Sequence, residues 1–195
     1  IFAFGHDNSD VSMSNLVSSS GVVASDTTGV GTERYGLGAC GYGGDKGIFG
    51  FGSHGGVLDE TNLVSNVGVV ASDVTGVGTD RKYIAATQYG TDKGIFAYGY
   101  TTTEVSMSNL VSNAGVVATD TTGVGTARKK VAACTYGEDK GIFGYGNTGS
   151  VTAVTNLVSN AGVVASDVTG VGTGRDYLSA CEYGQGKGIF GLGYD

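Results

Sequence analysis

Gly94-Ile95-Phe96-Ala97-Tyr98-Gly99, Val105-Ser106-Met107-Ser108-Asn109-Leu110-Val111, Gly115-Val116-Val117-Ala118-Thr119-Asp120 and Lys130-Val131-Ala132-Ala133-Cys134-Thr135-Tyr136 follow one another within a single stretch of the chain. The first is a short apolar and aromatic run bounded by glycines, which suits a buried strand. The second alternates before turning apolar, the third is β-branched, and the fourth is built of small residues, so each reads as a strand. Between them, Thr121-Thr122-Gly123-Val124-Gly125-Thr126 supplies glycines that permit positive φ, and Gly137-Glu138-Asp139-Lys140-Gly141 reads as a tight hairpin turn. No 3.6-residue periodicity persists long enough to compete.

Working outward, the same unit recurs along the whole chain. Phe2, Phe49, Phe96, Phe143 and Phe190 stand 47 residues apart, and Asn15, Asn62, Asn109 and Asn156 keep the same step. The repeats are 1–47, 48–94, 95–141 and 142–188 of one repeat domain spanning 1–195, with residues 189–195 as an extra copy of the opening strand. A strict period means modules that bury their apolar faces on their neighbours. Four strands in about 40 to 50 residues match a propeller blade. The expected fold is therefore all-β: a β-propeller of four-stranded antiparallel blades, about four in number, plus one extra terminal strand. Because that strand has five copies and the others four, the expectation is a four-bladed ring with one terminal copy displaced, or a slice of a longer array. An unpaired copy would be an exposed edge suited to self-assembly.

Composition narrows the function classes. The 195 residues include 37 Gly and no Pro or Trp, without the G-X-Y period of collagen, and 40% hydrophobic content is too rich for a disordered linker. A net charge of -7 repels a phosphate backbone, so nucleic acid is not expected as a partner. No apolar run approaches the roughly 18 residues needed to span a bilayer, so membrane insertion is not expected either. The chain begins at Ile1 rather than Met, which suggests processing or a piece of something longer. Cys40, Cys134 and Cys181 share one repeat position with Thr87 and read as a small buried strand site that does not pair.

Columns of equivalent residues separate scaffold from candidate site. Asp26, Asp73, Asp120 and Asp167 precede Arg34, Arg81, Arg128 and Arg175 by eight residues across a Gly-rich turn. An Asp–Arg pair bracing that turn or bridging adjacent blades is the leading structural reading, and four arginines facing an axis to bind an anion is the alternative. Lys46, Lys93, Lys140 and Lys187 form a third column, consistent with a solvated turn. The segment after the aromatic strand does not recur. It holds His6, Asp7 and Asn8 in the first repeat, His54 in the second, Tyr100 and Thr102 in the third, and Asn147 and Thr148 in the fourth. Loops that vary on a repeated frame are the natural candidate binding residues, with drift of exposed sequence as the bland alternative.

Catalytic patterns are nearly missing. His6 and His54 have no partner at metal-ligand spacing, and Asp59-Glu60 would point to opposite faces of a strand. The Gly-x-Gly strings lack the strand-then-helix context of a dinucleotide site. Neither an enzyme nor a metal or other cofactor is expected.

Two resemblances follow from particular residues. The run from Arg128 through Ala132-Ala133-Cys134 and Lys140-Gly141-Ile142-Phe143-Gly144-Tyr145-Gly146 resembles a kelch motif: an Arg, a small-residue strand, a turn, then an aromatic strand ending in Gly. It recurs in all four repeats, with Gly-x-Gly standing where kelch repeats carry a double Gly. The Asn-Leu-Val-Ser, Gly-Val-Val-Ala and Gly-Val-Gly-Thr phrases resemble repeat arrays of bacteriophage structural and tail-associated proteins. Together they imply a non-catalytic structural or adhesive propeller on a virion or extracellular surface, binding a protein or glycan surface through its variable loops. A lectin-like glycan-binding module is the alternative.

Overall fold

The computed structural model describes residues 1–195 and contains thirteen strands and no helix, hence none long and apolar enough to cross a membrane. In chain order these are β1 (Phe2–Asp7), β2 (Ser9–Asn15), β3 (Gly38–Tyr42), β4 (Lys46–Ser53), β5 (Val57–Val64), β6 (Ala85–Tyr89) and β7 (Lys93–Ala97). They continue with β8 (Ser108–Val111), β9 (Ala132–Tyr136), β10 (Lys140–Gly144), β11 (Thr155–Val158), β12 (Ser179–Tyr183) and β13 (Lys187–Gly191). They form three complete antiparallel sheets, β3-β4-β5, β6-β7-β8 and β9-β10-β11, flanked by the two-stranded sheets β1-β2 and β12-β13.

Each sheet is built around the aromatic strand. Lys93–Ala97 pairs with β6 on one side and β8 on the other, and Ile95, Phe96 and Ala97 are fully buried. A strand covered on both faces needs such a continuous apolar run. The turn before its equivalent β10 is the expected tight hairpin: Tyr136 pairs with Lys140, and Gly137 and Glu138 both take positive φ, 58° and 71°. After it, the Gly-x-Gly string makes a bulge. In β4 the register shifts between Gly50 and Gly52, and Phe51 takes φ 64°. This throws the Phe51 ring sideways onto Phe96 of the next sheet, with centroids 5.3 Å apart. Phe4–Phe49, Tyr98–Phe143 and Tyr145–Phe190 repeat the contact at 5.4 Å. Burying such a ring contributes about 2–3 kcal/mol, and the edge-on pairing adds about 1 kcal/mol.

Two expectations are corrected. The complete sheets have three strands rather than four, because the Gly115–Asp120 segment meets its neighbour through an isolated bridge, Val117 to Val111, another just past it, Thr121 to Ser108, and scattered backbone bonds such as Ala118 N to Leu110 O at 2.8 Å. Between those bridges the Asn109 amide donates to Ala118 O at 3.0 Å and Asp120 Oδ1 at 2.9 Å, so a side chain rather than a backbone amide supplies the Ala118 carbonyl. Of the two end arrangements expected, the closed four-bladed ring is also not found: the row of sheets stays open. Successive sheets pack in chain order, with β3 on β6, β6 on β9 and β9 on β12, while Phe2 and Leu192 at the two ends remain 64% and 82% exposed. Ile1–Gly5 and Ile189–Gly193 are copies of the same central strand and cannot share one place. Neither is displaced: β1 pairs with β2 and β13 with β12 in separate sheets.

Candidate binding site

The recurring polar residues lie between the sheets. Arg34, Arg81 and Arg128 are fully buried. The Arg34 guanidinium sits 4.2 Å from the Phe4 ring centroid of the preceding sheet and reaches forward into the next. There Nε donates to Phe51 O at 2.8 Å, one terminal nitrogen donates to Thr32 O at 2.9 Å, and the other donates to Asn62 Oδ1. Asn62 in turn donates to Asp73 Oδ1 at 2.9 Å, and Thr32 donates to Asp73 Oδ2 through both its amide and its hydroxyl at 2.8 Å. Arg81 with Asn109 and Asp120, and Arg128 with Asn156 and Asp167, repeat this network. The arginine therefore works with the aspartate of the following repeat, 3.7 Å away for Arg34 and Asp73, and Asp26 instead accepts from Asn15.

Burial acts on both partners. It pushes the Arg81 guanidinium down to about 10, against the opposing pull of Asp120 and Asp59. It also pushes the Asp120 carboxyl up, but the Thr79 and Asn109 hydrogen bonds and Arg81 outweigh it and hold the group below its ordinary value. At neutral pH the pair is ionised, and its donors are committed inside the protein. Arg175 makes no bond to an asparagine of this kind: its Nε lacks a partner, and one terminal nitrogen donates to Leu192 O at 3.2 Å.

The variable segments gather at one end of the sheets. Tyr35 bridges to Ser53, Lys82 to Tyr100, Lys129 to Asn147 and Asp176 to Tyr194, so one further column of residues lies directly beside each loop. His6 and Asp7 end β1, and Asn8 turns the hairpin with φ 56°. His6 and His54 converge on Asp10, each with Nδ1 2.9 Å from a carboxylate oxygen, and their hydrogen bonds hold Asp10 below its ordinary value. No three His, Cys, Asp or Glu side chains form a metal-ligand group. Tyr100 lies 4.3 Å below Lys129 Nζ, which pairs with Glu104 at 2.8 Å. Asn147 donates to Asp176 Oδ2 at 3.0 Å, while Thr102 and Thr148 occupy exposed loop tips.

Beside these loops the structure forms a cleft of about 590 Å³ that residue-type reasoning did not single out. His6, Tyr35, Leu37, Tyr83, Lys130 and Tyr177 line it, drawn from all four repeats. The Tyr83 and Tyr177 rings, two sheets apart in the chain, meet edge-on at 6.1 Å, which shows how tightly the row curves here. Tyr35 meets Tyr83 at 6.1 Å, and Tyr177 meets Tyr194 at 6.3 Å, making a continuous aromatic ladder. Burial, then Tyr177 and Tyr35, pushes the Tyr83 phenol up to about 12. The Lys82 hydrogen bond, 3.1 Å long, draws the Tyr35 phenol down. A signal was available: Gly36, Tyr83, Lys130 and Tyr177 share one repeat position, as do Tyr35, Lys82, Lys129 and Asp176, and both columns vary amid recurring neighbours.

The cleft offers flat tyrosine rings, phenol hydroxyls, the Lys130 ammonium and the His6 imidazole, groups able to stack on and hydrogen-bond a bound molecule. Comparison with known proteins returns no matching family model and no matching curated relative.

Proposed function

We propose that the chain is a non-catalytic recognition scaffold, a propeller-like arc of kelch-style units that presents variable loops to a protein or glycan on a virion or cell surface. One observation carries this reading: the segments that differ between repeats lie at the same end of each sheet, and those that recur are spent on holding the sheets together. Rigid frames with clustered variable loops are how binding surfaces are commonly built. The resemblance to bacteriophage repeat arrays supports the surface placement.

The test exchanges loops without touching the frame. Residues 100–104 and 147–151 are swapped, and binding to immobilised glycans and to candidate host-cell surfaces is compared with the parent chain. A changed binding profile at an unchanged melting temperature is the expected result. An unchanged profile would remove the loops from the recognition surface. A lectin-like module is the second reading, favoured by the tyrosine-lined cleft beside the loops.

A further inference from the structure

We infer that the tyrosine-lined cleft binds a carboxylate-bearing saccharide; this rests on the recognition reading and names a ligand class for the face next to the loops. The first support is backbone conformation. Gly36 takes φ 67°, and Tyr83, Lys130 and Tyr177 hold the same left-handed conformation at 56°, 57° and 53°. Glycine occupies this region without penalty, whereas bulky side chains there are strained and call for a reason. At the Phe51 position the reason is visible, since that ring fills the space between sheets. Tyr177 is touched by Tyr83 and Tyr194 edge-on and by Lys130 Nζ 4.2 Å from its ring centroid, yet the residue remains 52% exposed beside the cleft. Strain retained where side chains line a cavity points to ligand contact.

The lining specifies the chemistry. Tyr35, Tyr83, Tyr177 and Tyr194 form a ladder of partly open rings along the curved edge. A pyranose presents a flat face of C–H bonds to such rings and hydroxyls to phenols and ammonium groups, combining an apolar body with a polar periphery. Charge then separates acidic from neutral sugars. Lys130 is matched by Asp176 at 3.3 Å. Lys82 has no carboxylate partner; its ammonium donates to the neutral Tyr35 hydroxyl and lies 5.3 Å from the centroids of both Tyr35 and Tyr83. Lys82 borders the cleft through Tyr35 and Tyr83 rather than lining it, and an unmatched cation beside those two rings, in a chain of net charge -7, is the place for an anionic substituent reaching past them.

Calorimetric titration of the full chain tests this with four probes: a glucuronate-containing oligosaccharide, a sialic-acid-terminated oligosaccharide, a neutral oligosaccharide of the same length, and sodium acetate. Binding of at least one acidic saccharide, weakened by added salt and at least tenfold tighter than the neutral one, is expected. Lys82→Met should remove most of that tenfold preference. Tyr177→Gly, which places glycine at a left-handed position, should abolish binding without lowering the melting temperature. Equal binding of neutral and acidic saccharides overturns the charge assignment, and full binding by the Tyr177→Gly protein overturns the location. Binding of acetate as tight as that of the saccharides reduces the cleft to a general anion site and overturns the ladder's role. If no saccharide binds while the loop exchange still alters surface recognition, this inference fails and the recognition reading stands.

Discussion

At Arg81 a fully buried guanidinium spends its donors on Tyr98 O at 3.0 Å, Thr79 O at 3.0 Å and Asn109 Oδ1, and its flat face covers the Phe51 ring at 4.2 Å. Three carbonyl oxygens and a ring from two neighbouring sheets depend on this one side chain. Replacing it with Met fills similar volume but leaves those acceptors buried without donors and leaves Asp120 without its cation. Arg81→Met should therefore cost about 3 kcal/mol, the usual penalty for breaking a buried polar pair from one side. Arg175 occupies the same repeat position but is half-buried and lacks the onward asparagine. Arg175→Met should cost less than about 1 kcal/mol, as for a surface change. Urea denaturation at constant slope measures both, and equal losses would show that position along the row does not matter. The pairing itself also shows the limit of reading a repeat. The Asp and Arg columns were visible as columns, but a fixed period places Asp26 and Asp73 on equal terms as partners of Arg34. Only the sheet packing selects Asp73.

Among the elements, the hairpin around residues 137–139 and the apolar strand after it were legible because their chemistry is local: two left-handed turn residues, then a run buried on both faces. The Gly115–Asp120 segment was not, because β-branched composition does not reveal that the Asn109 side chain takes the Ala118 carbonyl and that the pairing is reduced to isolated bridges. The cleft escaped for a related reason, since its column is one residue wide and its members meet through curvature of the whole row. Packing between elements has a local test in the glycines facing the cysteine column. A methyl group added at Gly94 of β7 would lie 2.5 Å from Cys40 Sγ of β3 and 3.3 Å from Gly41 O. At Gly47 of β4, which has no cysteine across it, the nearest atom would be Val64 Cβ at 3.6 Å, an ordinary contact. Gly94→Ala should thus destabilise by about 1–3 kcal/mol through overpacking. Gly47→Ala should be neutral or add about 0.5 kcal/mol by restricting the unfolded chain. Thermal melts of the two proteins decide this, and matching shifts would mean that the sheets do not interlock as described.

For the whole molecule, an open row of near-identical sheets behaves as a one-dimensional stack in which each unit is stabilised by its neighbours. The buried residues follow that logic. Phe51 and Tyr98, inside the row, are fully buried, and Leu192 at the equivalent terminal position is 82% exposed. Tyr42 and Tyr89 are 4% exposed, against 53% for Tyr183. The networks thin in the same direction: Asp26 receives no threonine from a preceding repeat, and Arg175 reaches no following asparagine. Opening an end sheet therefore breaks one interface, whereas opening β6-β7-β8 breaks two. Amide hydrogen exchange should show the highest protection in β7 and β10, with β1 and β13 lower by about 2–3 kcal/mol in opening free energy, roughly one ring contact and its polar network. Uniform protection across all thirteen strands would instead mean that the row opens as a single cooperative unit. Because the cleft draws on all four repeats, its ligand would tie the last sheet to the first. Saturation with that ligand should then raise protection most at β12 and β13, where Tyr177 and Tyr194 complete the ladder.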